Sequence, residues 1–290
     1  MTAPLFHQVS VPDVAELTLA GAEGRHAATV RRLRPGERLD VTDGRGVVAE
    51  CTVVRCRRDE LDCAVERRVV HPARLPRLVV VQALAKGDRG ELAVELMTEV
   101  GVDEIVPWAA SRSVVRWAGE RGARAHDRWS ATAREAAKQS RRVFWPRVAA
   151  PTDTDAAAAR LAAAELAVVL HEEAAEPLTR VLAAATTAAT GSFATATAAA
   201  GPPATTASVA GPATAGLTAT RAPAAPPDAV PAAEIVVVVG PEGGITDTEL
   251  EMFTAAGGWP SRLGPTVLRT STAGVVAAAV VLSRTSRWER

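Results

Sequence analysis

The sequence is poor in cysteine, and this scarcity excludes a fold built on disulfides. Its 290 residues include three cysteines, Cys51, Cys56 and Cys63, which are five and seven positions apart. An odd cysteine count in a chain of this length predicts a reducing compartment. Neither a CxxC pair nor a neighbouring histidine pair accompanies them, so we predict no metal site. We interpret the three as buried apolar residues of a β-rich segment.

Long apolar runs are also lacking. The N-terminal MTAPLFHQVS has neither a basic segment nor an apolar core, so we predict no signal peptide. The longest apolar stretch, residues 273–282, is too short to span a bilayer. We therefore expect a soluble, cytoplasmic protein without a membrane partner.

Net charge is absent overall but not locally. The chain has 33 Lys and Arg against 33 Asp and Glu. Residues 111–147 nevertheless carry ten Arg or Lys against three acids, an excess of seven positive charges. A local basic patch is what phosphate binding requires. The alternative interpretation is a solvated helix face.

Residues 1–72 have the pattern of a small β-barrel with one helix. Asp43-Gly44 and the following Gly46 mark a turn between two alternating, β-branched segments, which predicts a hairpin. Residues 23–34 predict a short helix, ended by Pro35-Gly36. Residues 72–76 contain two prolines, and we interpret them as a linker to a second domain, residues 77–290.

The second domain alternates strands with helices, which predicts a parallel α/β sheet. Residues 78–81 form a continuous apolar run, typical of a strand covered on both faces. Asp88 is placed to cap the next helix, which Gly101 ends. Further elements are predicted as strands at residues 104–108, 166–170 and 235–239 and as a basic helix around residues 128–139.

Residues 183–233 break this alternation. They are almost wholly Ala, Thr, Pro and Gly, with Arg221 and Asp228 as the only charges. Repeated prolines and few bulky apolar residues predict a disordered insertion between two elements of one sheet.

Two glycine turns near the C-terminus are the candidate ligand site. The strand at residues 235–239 runs into Gly-Pro-Glu-Gly-Gly, and Thr246 and Glu249 form a capping box that opens a helix. Leu263-Gly264-Pro265 follows, with a short strand predicted up to Leu268. A glycine turn after a parallel strand is where α/β proteins bind ligands, although a purely structural turn is the alternative. The spacing is neither GxGxxG nor a Walker loop, which disfavours dinucleotides and triphosphates.

A hydroxyl cluster precedes the last predicted helix. Thr270, Ser271 and Thr272 stand directly before the apolar residues 273–282. We expect these side chains to cap the helix and to leave N–H groups free for a carboxylate.

The order of these motifs resembles the knotted methyltransferases of the SPOUT superfamily. The chain is most similar to the 16S ribosomal RNA uridine N3-methyltransferase family, which is ribosomal small-subunit methyltransferase E. The similarity lies in the order of a strand, GPEGG, a capped helix, LGPxxLRT and an apolar helix. Residues 33–37 (LRPGE) and Asp43-Gly44 resemble the PUA-like RNA-binding domain of that family. Further matches are Lys86-Gly87-Asp88-Arg89, Glu99-Val100-Gly101-Val102, Ser111-Arg112-Ser113, Glu135-Ala136, Gln139-Ser140-Arg141-Arg142 and Pro146. The resemblance covers nearly the whole chain except residues 183–233.

The resemblance implies a fold, a reaction and a cofactor. The expected fold is a trefoil-knotted α/β methyltransferase domain preceded by a PUA-like β-barrel, in a homodimer. The expected reaction is S-adenosylmethionine-dependent methylation of a uridine at N3 in 16S ribosomal RNA of the small subunit. The implied cofactor-binding residues are Leu170, His171, Glu172, Gly240, Pro241, Glu242, Gly243, Gly244, Leu263, Gly264, Leu268, Thr270, Ser271, Thr272 and Ala273.

Catalytic and RNA-binding roles follow from chemistry within that family. Arg269 is our candidate for stabilising a uridine anion, and Glu242 is a candidate base or a residue that holds its own loop. The chain departs from the family pattern at Ser271, where a glutamate is common, and at Thr266, where arginine is usual. The candidate RNA-binding residues are Arg25, Arg31, Arg34, Lys86, Arg89, Arg112, Arg116, Arg141 and Arg142. For Arg112 and Arg116, a surface salt bridge is the alternative role.

The residues leave two other functions as alternatives. One is methylation of a different RNA position by another knotted methyltransferase, which the PUA-like match disfavours. The other is a non-catalytic RNA-binding relative, which only Ser271 suggests.

Overall fold

The computed structural model describes residues 3–188 and 233–288. Its N-terminal domain is a five-stranded mixed sheet in the order β1-β3-β4-β5-β2. Strand β1 pairs in parallel with β3, and the other pairs are antiparallel. The strands are β1 (Leu5–His7), β2 (Glu16–Leu19), β3 (Arg38–Thr42), β4 (Val47–Cys56) and β5 (Leu61–Val70).

One helical segment lies in this domain, earlier than the sequence predicted. Helix α1 (Gly21–Arg25) continues directly as a π-helix, His26–Val30. The predicted helix, residues 23–34, therefore extends beyond the observed end at Val30. The reason is local, because Arg32 adopts a positive φ of 56°, which a helix cannot include.

Apolar side chains from all five strands and the helical segment share one core, so the sheet curls around it. Two of the cysteines belong to that core, as predicted. Burial raises the pKa of Cys51 to about 12 and the pKa of Cys63 to about 11. Both thiols therefore stay protonated and act as small apolar groups. Cys56 was also predicted to be buried, but it is exposed at the end of β4.

The C-terminal domain is a six-stranded sheet in which every pair of strands is parallel. The strand order is β11-β9-β10-β6-β7-β8. The strands are β6 (Arg77–Ala83), β7 (Glu104–Trp108), β8 (Arg147–Val148), β9 (Leu166–Leu170), β10 (Glu234–Val239) and β11 (Gly258–Ser261). The helices are α2 (Arg89–Val100), α3 (Gly119–Gln139), α4 (Thr154–Ala162), α5 (Leu178–Ala188), α6 (Asp247–Ala255) and α7 (Thr270–Leu282).

Helices cover both faces of this sheet. In β10, Val237 and Val239 pack with the layer that contains α2, α5 and α7, while Val236 and Val238 pack with the layer of α4 and α6. Burial on both faces explains why the strand is a continuous apolar run rather than an alternating one. Among the described residues, no helix is both long and apolar enough to cross a membrane.

Several local predictions need correction. Helix α4 and strand β11 were not predicted, and the short strand expected before Leu268 is irregular loop. Asp88 precedes α2, but its side chain makes no cap hydrogen bond. The hydroxyl cluster does not cap α7 either, because the helix already begins at Thr270 and its N-cap is Arg269.

The first residues of the predicted insertion, residues 183–233, belong to a helix. Helix α5 extends to residue 188, so residues 183–188 are helical. Residues 189–232 lie outside the described residues.

The two domains meet at the glycine turn of the N-terminal domain. Residues 72–76, where the linker was predicted, have no regular structure. Gly44 and Gly46 both adopt positive φ, and a Cβ on them would lie 2.8 Å from the ring of Trp145 and 2.6 Å from that of Phe144. The Gly46 N–H also donates to the Val143 carbonyl at 3.2 Å. The predicted hairpin turn therefore serves as a docking site, and only glycine fits there.

A buried ion-pair network joins the amino ends of the central strands. Glu104 and Glu234 are almost fully buried and contact Arg77, Arg147 and Arg160. Burial alone would raise the pKa of Glu104. The hydrogen bond from Arg147 and the charges of the three arginines outweigh burial, so the pKa of Glu104 lies below its usual value.

We predict that Glu104→Gln destabilises the protein by about 3 kcal/mol or more, because it removes the buried negative charge that Arg77, Arg147 and Arg160 share. Glu99→Gln, at an exposed position of α2, is the matched control and should change stability by less than about 0.5 kcal/mol. Urea unfolding measures both free energies. Since the folded-state pKa of Glu104 is lowered, its contribution is full above the unfolded pKa and is lost as pH falls through the folded pKa. A Glu104→Gln penalty that persists unchanged in acid would contradict this account.

Candidate functional site

A cavity of about 320 Å³ lies at the carboxyl ends of the adjacent strands β9, β10 and β11; we call it the first cavity. Three loops and the start of α7 surround it. The predicted residues that line it are Leu170, His171, Glu172, Gly240, Pro241, Glu242, Gly244, Leu263, Gly264, Leu268, Arg269, Thr270 and Ala273. The sequence did not predict four further lining residues, Val239, Ile245, Ser261 and Arg262, whereas Pro265, Thr266 and Val267 also line the cavity and lie within the predicted loop from Leu263 onward.

Three of the predicted cofactor residues do not line the first cavity. Gly243 faces Arg112 instead, since a Cβ there would lie 3.1 Å from the Arg112 Cβ. Ser271 is buried within the first turn of α7. The Thr272 hydroxyl donates to the Arg269 carbonyl at 3.1 Å. Residues that are adjacent in the motif thus point in different directions once the helix begins.

The loop between β11 and α7 leaves its backbone unpaired. In the part of the chain that the structure describes, the peptide groups of residues 263–268 make no hydrogen bond. Backbone donors and acceptors in folded proteins almost always find partners. These groups border the first cavity, so a ligand or water must satisfy them.

Arg262 holds this loop against the loop that follows β9. Its guanidinium donates to the Ala174 carbonyl at 2.7 Å and also to the Ala175 carbonyl. Its backbone N–H donates to the Glu176 carbonyl at 3.0 Å. No local pattern marks an arginine that bridges two distant loops, so the sequence could not have identified it.

The GPEGG loop is held by contacts from three other segments. The Glu242 carboxylate accepts from the Lys86 N–H at 3.3 Å and lies 3.7 Å from the Arg89 guanidinium. Arg112 donates to the Gly243 carbonyl at 3.2 Å, and the Thr270 hydroxyl donates to the Gly240 carbonyl at the same distance. Glu242 is therefore engaged in holding its loop.

The predicted capping box does more than begin a helix. Glu249 bonds reciprocally with Thr246, and its buried carboxylate also accepts from the Ser111 N–H at 2.7 Å. Burial would raise the pKa of Glu249, but the N–H groups of Ser111 and Thr246 outweigh burial and lower it. An ionised Glu249 thus anchors residues 111–117, which carry Arg112 and Arg116. The sequence predicted the cap but not this anchor.

Arg142 was predicted to bind RNA, and the structure corrects this. Its guanidinium donates to the carbonyls of Thr98 and Val102 at 2.9 and 2.6 Å and lies 3.4 Å from Asp103. Burial lowers the pKa of Arg142 to about 10 despite the Asp103 charge. Arg142 therefore completes the C-terminal end of α2 and is not free to contact phosphate.

The other predicted RNA-binding residues are more accessible. Arg25 lies 3.6 Å from Asp59, and both side chains are largely exposed. Arg112 contacts the GPEGG loop through the Gly243 carbonyl, and Arg116 donates to the Ser111 carbonyl. The exposed remainder is Arg31, Arg34, Lys86 and Arg141, while Arg89 is half-buried beside Glu242.

Two charged side chains at the first cavity are uncommitted. Arg269 is exposed at the N-cap of α7, and within residues 3–188 and 233–288 its guanidinium makes no hydrogen bond or ion pair. Glu172 is also exposed, and its Oε1 lies 3.8 Å from the position of a Cβ on Gly244. An anion and a cation of the protein are therefore available to a bound molecule.

Comparison with known proteins defines the class. A model of the RNA methyltransferase PUA domain matches residues 19–66, and a model of the RNA methyltransferase domain matches residues 72–203 and 207–282. The chain is thus an RNA methyltransferase with an N-terminal PUA domain.

Relatives narrow the class to one family. The ribosomal RNA small subunit methyltransferase E of Mycobacterium bovis is 39% identical over 294 residues, covering 100% of this chain and 95% of that protein. The chain belongs to the ribosomal RNA small subunit methyltransferase E family. A Legionella pneumophila methyltransferase solved with bound SAM has a TM-score of 0.72 at 22% identity and covers 98% of each chain. The Neisseria gonorrhoeae ribosomal RNA small subunit methyltransferase E, bound to S-adenosyl methionine, has a TM-score of 0.70 at 22% identity, over 97% of this chain and 98% of that one. These two likenesses show the fold.

Proposed function

We propose that this protein transfers a methyl group from S-adenosylmethionine to N3 of a uridine in 16S ribosomal RNA of the small subunit. The observation that carries the proposal is the unpaired backbone of residues 263–268, which borders a cavity next to the free guanidinium of Arg269. The names of the relatives support a small-subunit RNA substrate, and the SAM bound to the structural neighbours supports the cofactor. A ribosomal substrate is consistent with a cytoplasmic location.

The first cavity fits S-adenosylmethionine chemically. Unpaired N–H and C=O groups of residues 263–268 match the donors and acceptors at the edge of an adenine ring. Leu170, Leu263 and Leu268 offer apolar contact to the same ring. The free carboxylate of Glu172 suits either the ribose hydroxyls or the ammonium group. When bound, the cofactor supplies an electrophilic methyl group on its sulfonium.

The protein must then make N3 of the uridine nucleophilic. That nitrogen is protonated at neutral pH, so its proton must pass to solvent and the resulting anion must be stabilised before N3 attacks the methyl group. Arg269 is the uncommitted cation at the first cavity, and we assign it to the uridine anion. Glu242 already accepts from Lys86 and faces Arg89, which favours a loop-holding role over that of a base.

A second copy of the chain is the partner that we assign to α7. Residues 273–282 are all Ala, Gly, Val or Leu, so this helix is apolar on every side. Its inner side packs in the core, yet Val276 is exposed, as is Leu92 on the adjacent helix α2. A helix that is apolar all round is normally covered. A homodimer would cover it through two copies of the same surface.

We predict that Gly264→Val weakens S-adenosylmethionine binding by roughly tenfold or more without destabilising the fold. The backbone of Gly264 is not left-handed, and a Cβ there meets nothing within 4 Å, so the protein itself tolerates the side chain. Gly264→Ala should produce a smaller loss, because it fills less of the cavity. Calorimetric titration measures the affinity, and thermal unfolding confirms the fold. An unchanged affinity in folded Gly264→Val would place the cofactor elsewhere.

We predict that Arg269→Ala lowers the rate of methyl transfer on the order of a hundredfold, because it removes charge stabilisation that matters mainly in the transition state. Affinity for the cofactor and for the small subunit should fall much less. Raising the pH should partly restore the rate, since hydroxide then removes the N3 proton. Arg284→Ala, at an exposed position beyond α7, is the matched control.

Single-turnover methylation of small subunits across a pH series measures this rate. An N3 methyl group blocks base pairing, so reverse transcription stops at the product and reports its position. The absence of any stop with the unaltered protein would contradict the proposed function. Normal turnover with poor cofactor binding in Arg269→Ala would show that this residue anchors the loop.

We predict that Val276→Asp raises the dimer dissociation constant by roughly thirtyfold or more, since an unpaired carboxylate in an apolar interface costs about 2 kcal/mol or more. Val54→Asp, at an exposed valine of β4 in the N-terminal domain, should leave association unchanged. Sedimentation equilibrium measures both constants. Equal association of all three proteins would exclude α7 from the interface.

A further inference from the structure

A second cavity, of about 420 Å³, opens between the start of α2, the segment before α3, and α3 itself. Its volume lies in the range of small-molecule binding sites. No role assigned above uses it. The residues that line it are Ala85, Gly87, Asp88, Glu91, Val115, Trp117, Ala125, Arg128 and Trp129.

The second cavity is a neighbour of the first. The loop from β6 to α2 lies between them: Gly87 and Asp88 line the second cavity, while Lys86 donates its N–H to Glu242 of the first. Residues 111–117 also connect the surroundings of the two cavities. Arg112 bonds to the GPEGG loop, and Trp117 lines the second cavity. An RNA strand that presents its target at the first cavity therefore passes close to the second.

The wall of the second cavity includes a fixed aromatic ring. The indole of Trp117 is half-buried and stands edge-to-face against the buried Trp129, with ring centroids 4.9 Å apart at 79°. The ring of His126 approaches Trp117 in a second perpendicular contact. Unpaired RNA bases are commonly recognised by stacking on such partly exposed aromatic rings.

One hydrogen-bond acceptor at the second cavity, the carboxylate of Asp88, has no partner among the described residues. The Glu91 carboxylate is paired with Arg128 at 3.2 Å. Asp88 stands at the N-cap of α2, where an aspartate usually accepts from helix N–H groups, yet its side chain makes no such bond. Within the described residues it has no ion pair either. A free carboxylate selects a base with an exocyclic amino group, whereas uracil presents carbonyl oxygens there.

We propose that the second cavity binds an unpaired, amino-bearing base of the RNA next to the target uridine, stacked on Trp117 and hydrogen-bonded to Asp88. The inference rests on the proposed function, because an RNA strand must reach the first cavity. It adds a specificity site: the enzyme selects its uridine partly by the neighbouring base. Opening the RNA at this neighbour also helps to present the target, since enzymes that modify a base must take it out of the stack.

The test compares three variants in methylation of small subunits at saturating S-adenosylmethionine. Trp117→Leu removes the stacking ring but keeps an apolar side chain, and Trp117→Phe restores an aromatic ring. Asp88→Asn removes the charge. We expect Trp117→Leu and Asp88→Asn to raise KM for the small subunit roughly tenfold with a smaller change in kcat, and Trp117→Phe to restore most of the loss. Asp127→Asn, an exposed acid of α3 outside the cavity, carries the same charge change and should behave as the unaltered protein.

A second measurement reads the cavity without catalysis. With the first cavity saturated by S-adenosylhomocysteine, cytidine and uridine monophosphates are titrated while tryptophan fluorescence is followed. We expect cytidine monophosphate to quench more strongly than uridine monophosphate, and Asp88→Asn to abolish the difference. Wild-type KM in both Trp117→Leu and Asp88→Asn would overturn the proposal. An equal rise of KM in Asp127→Asn would also overturn it. The same holds if Trp117→Leu and Asp88→Asn lose affinity for S-adenosylmethionine or no longer form the dimer. If the unaltered protein methylates nothing but the nucleotide preference persists, the proposed function fails while the base site stands.

Discussion

The structure depends on one strand that is enclosed on every side. β10 pairs in parallel with β9 and β6 along its two edges, and helices cover both of its faces. No polar side chain can enter such a position without a partner, so the valines must run unbroken and the chain can turn only after Val239. That turn is the GPEGG loop. The first cavity therefore lies where this enclosed strand ends, beside the ends of β9 and β11.

Around this turn the protein divides its polar groups into two sets. Arg262, Arg112, Glu242 and Glu249 each bond to backbone groups of a second segment and hold the loops in place. The backbone of residues 263–268, in contrast, has no internal partner. A loop fixed at its edges with open hydrogen-bonding groups at its centre is pre-organised for a ligand, which lowers the entropy lost on binding.

The sequence predicted the elements whose cause is local. The strands of apolar runs, the capping box at Thr246 and Glu249 and the end of α2 at Gly101 all follow from neighbouring residues. Strand β11 reads Gly-Trp-Pro-Ser and is a strand only because β9 lies beside it, so no pattern could announce it. The family motifs located most of the first cavity but not which way each motif residue faces. The trefoil knot stays a prediction.

In residues 111–147, likewise, the number of positive charges did not reveal which side chains are exposed. Lys138 pairs with Glu23 of the other domain, Arg147 pairs with buried Glu104, and Arg142 bonds to carbonyls at the end of α2. Much of the basic excess from Lys138 onward is therefore used in contacts within the protein. The exposed arginines that remain lie mainly earlier, between residues 112 and 134, on the segment and the helix that line the second cavity. Arg128 lines the second cavity together with Trp117, so at this arginine the proposed phosphate contact and the proposed base stacking would adjoin.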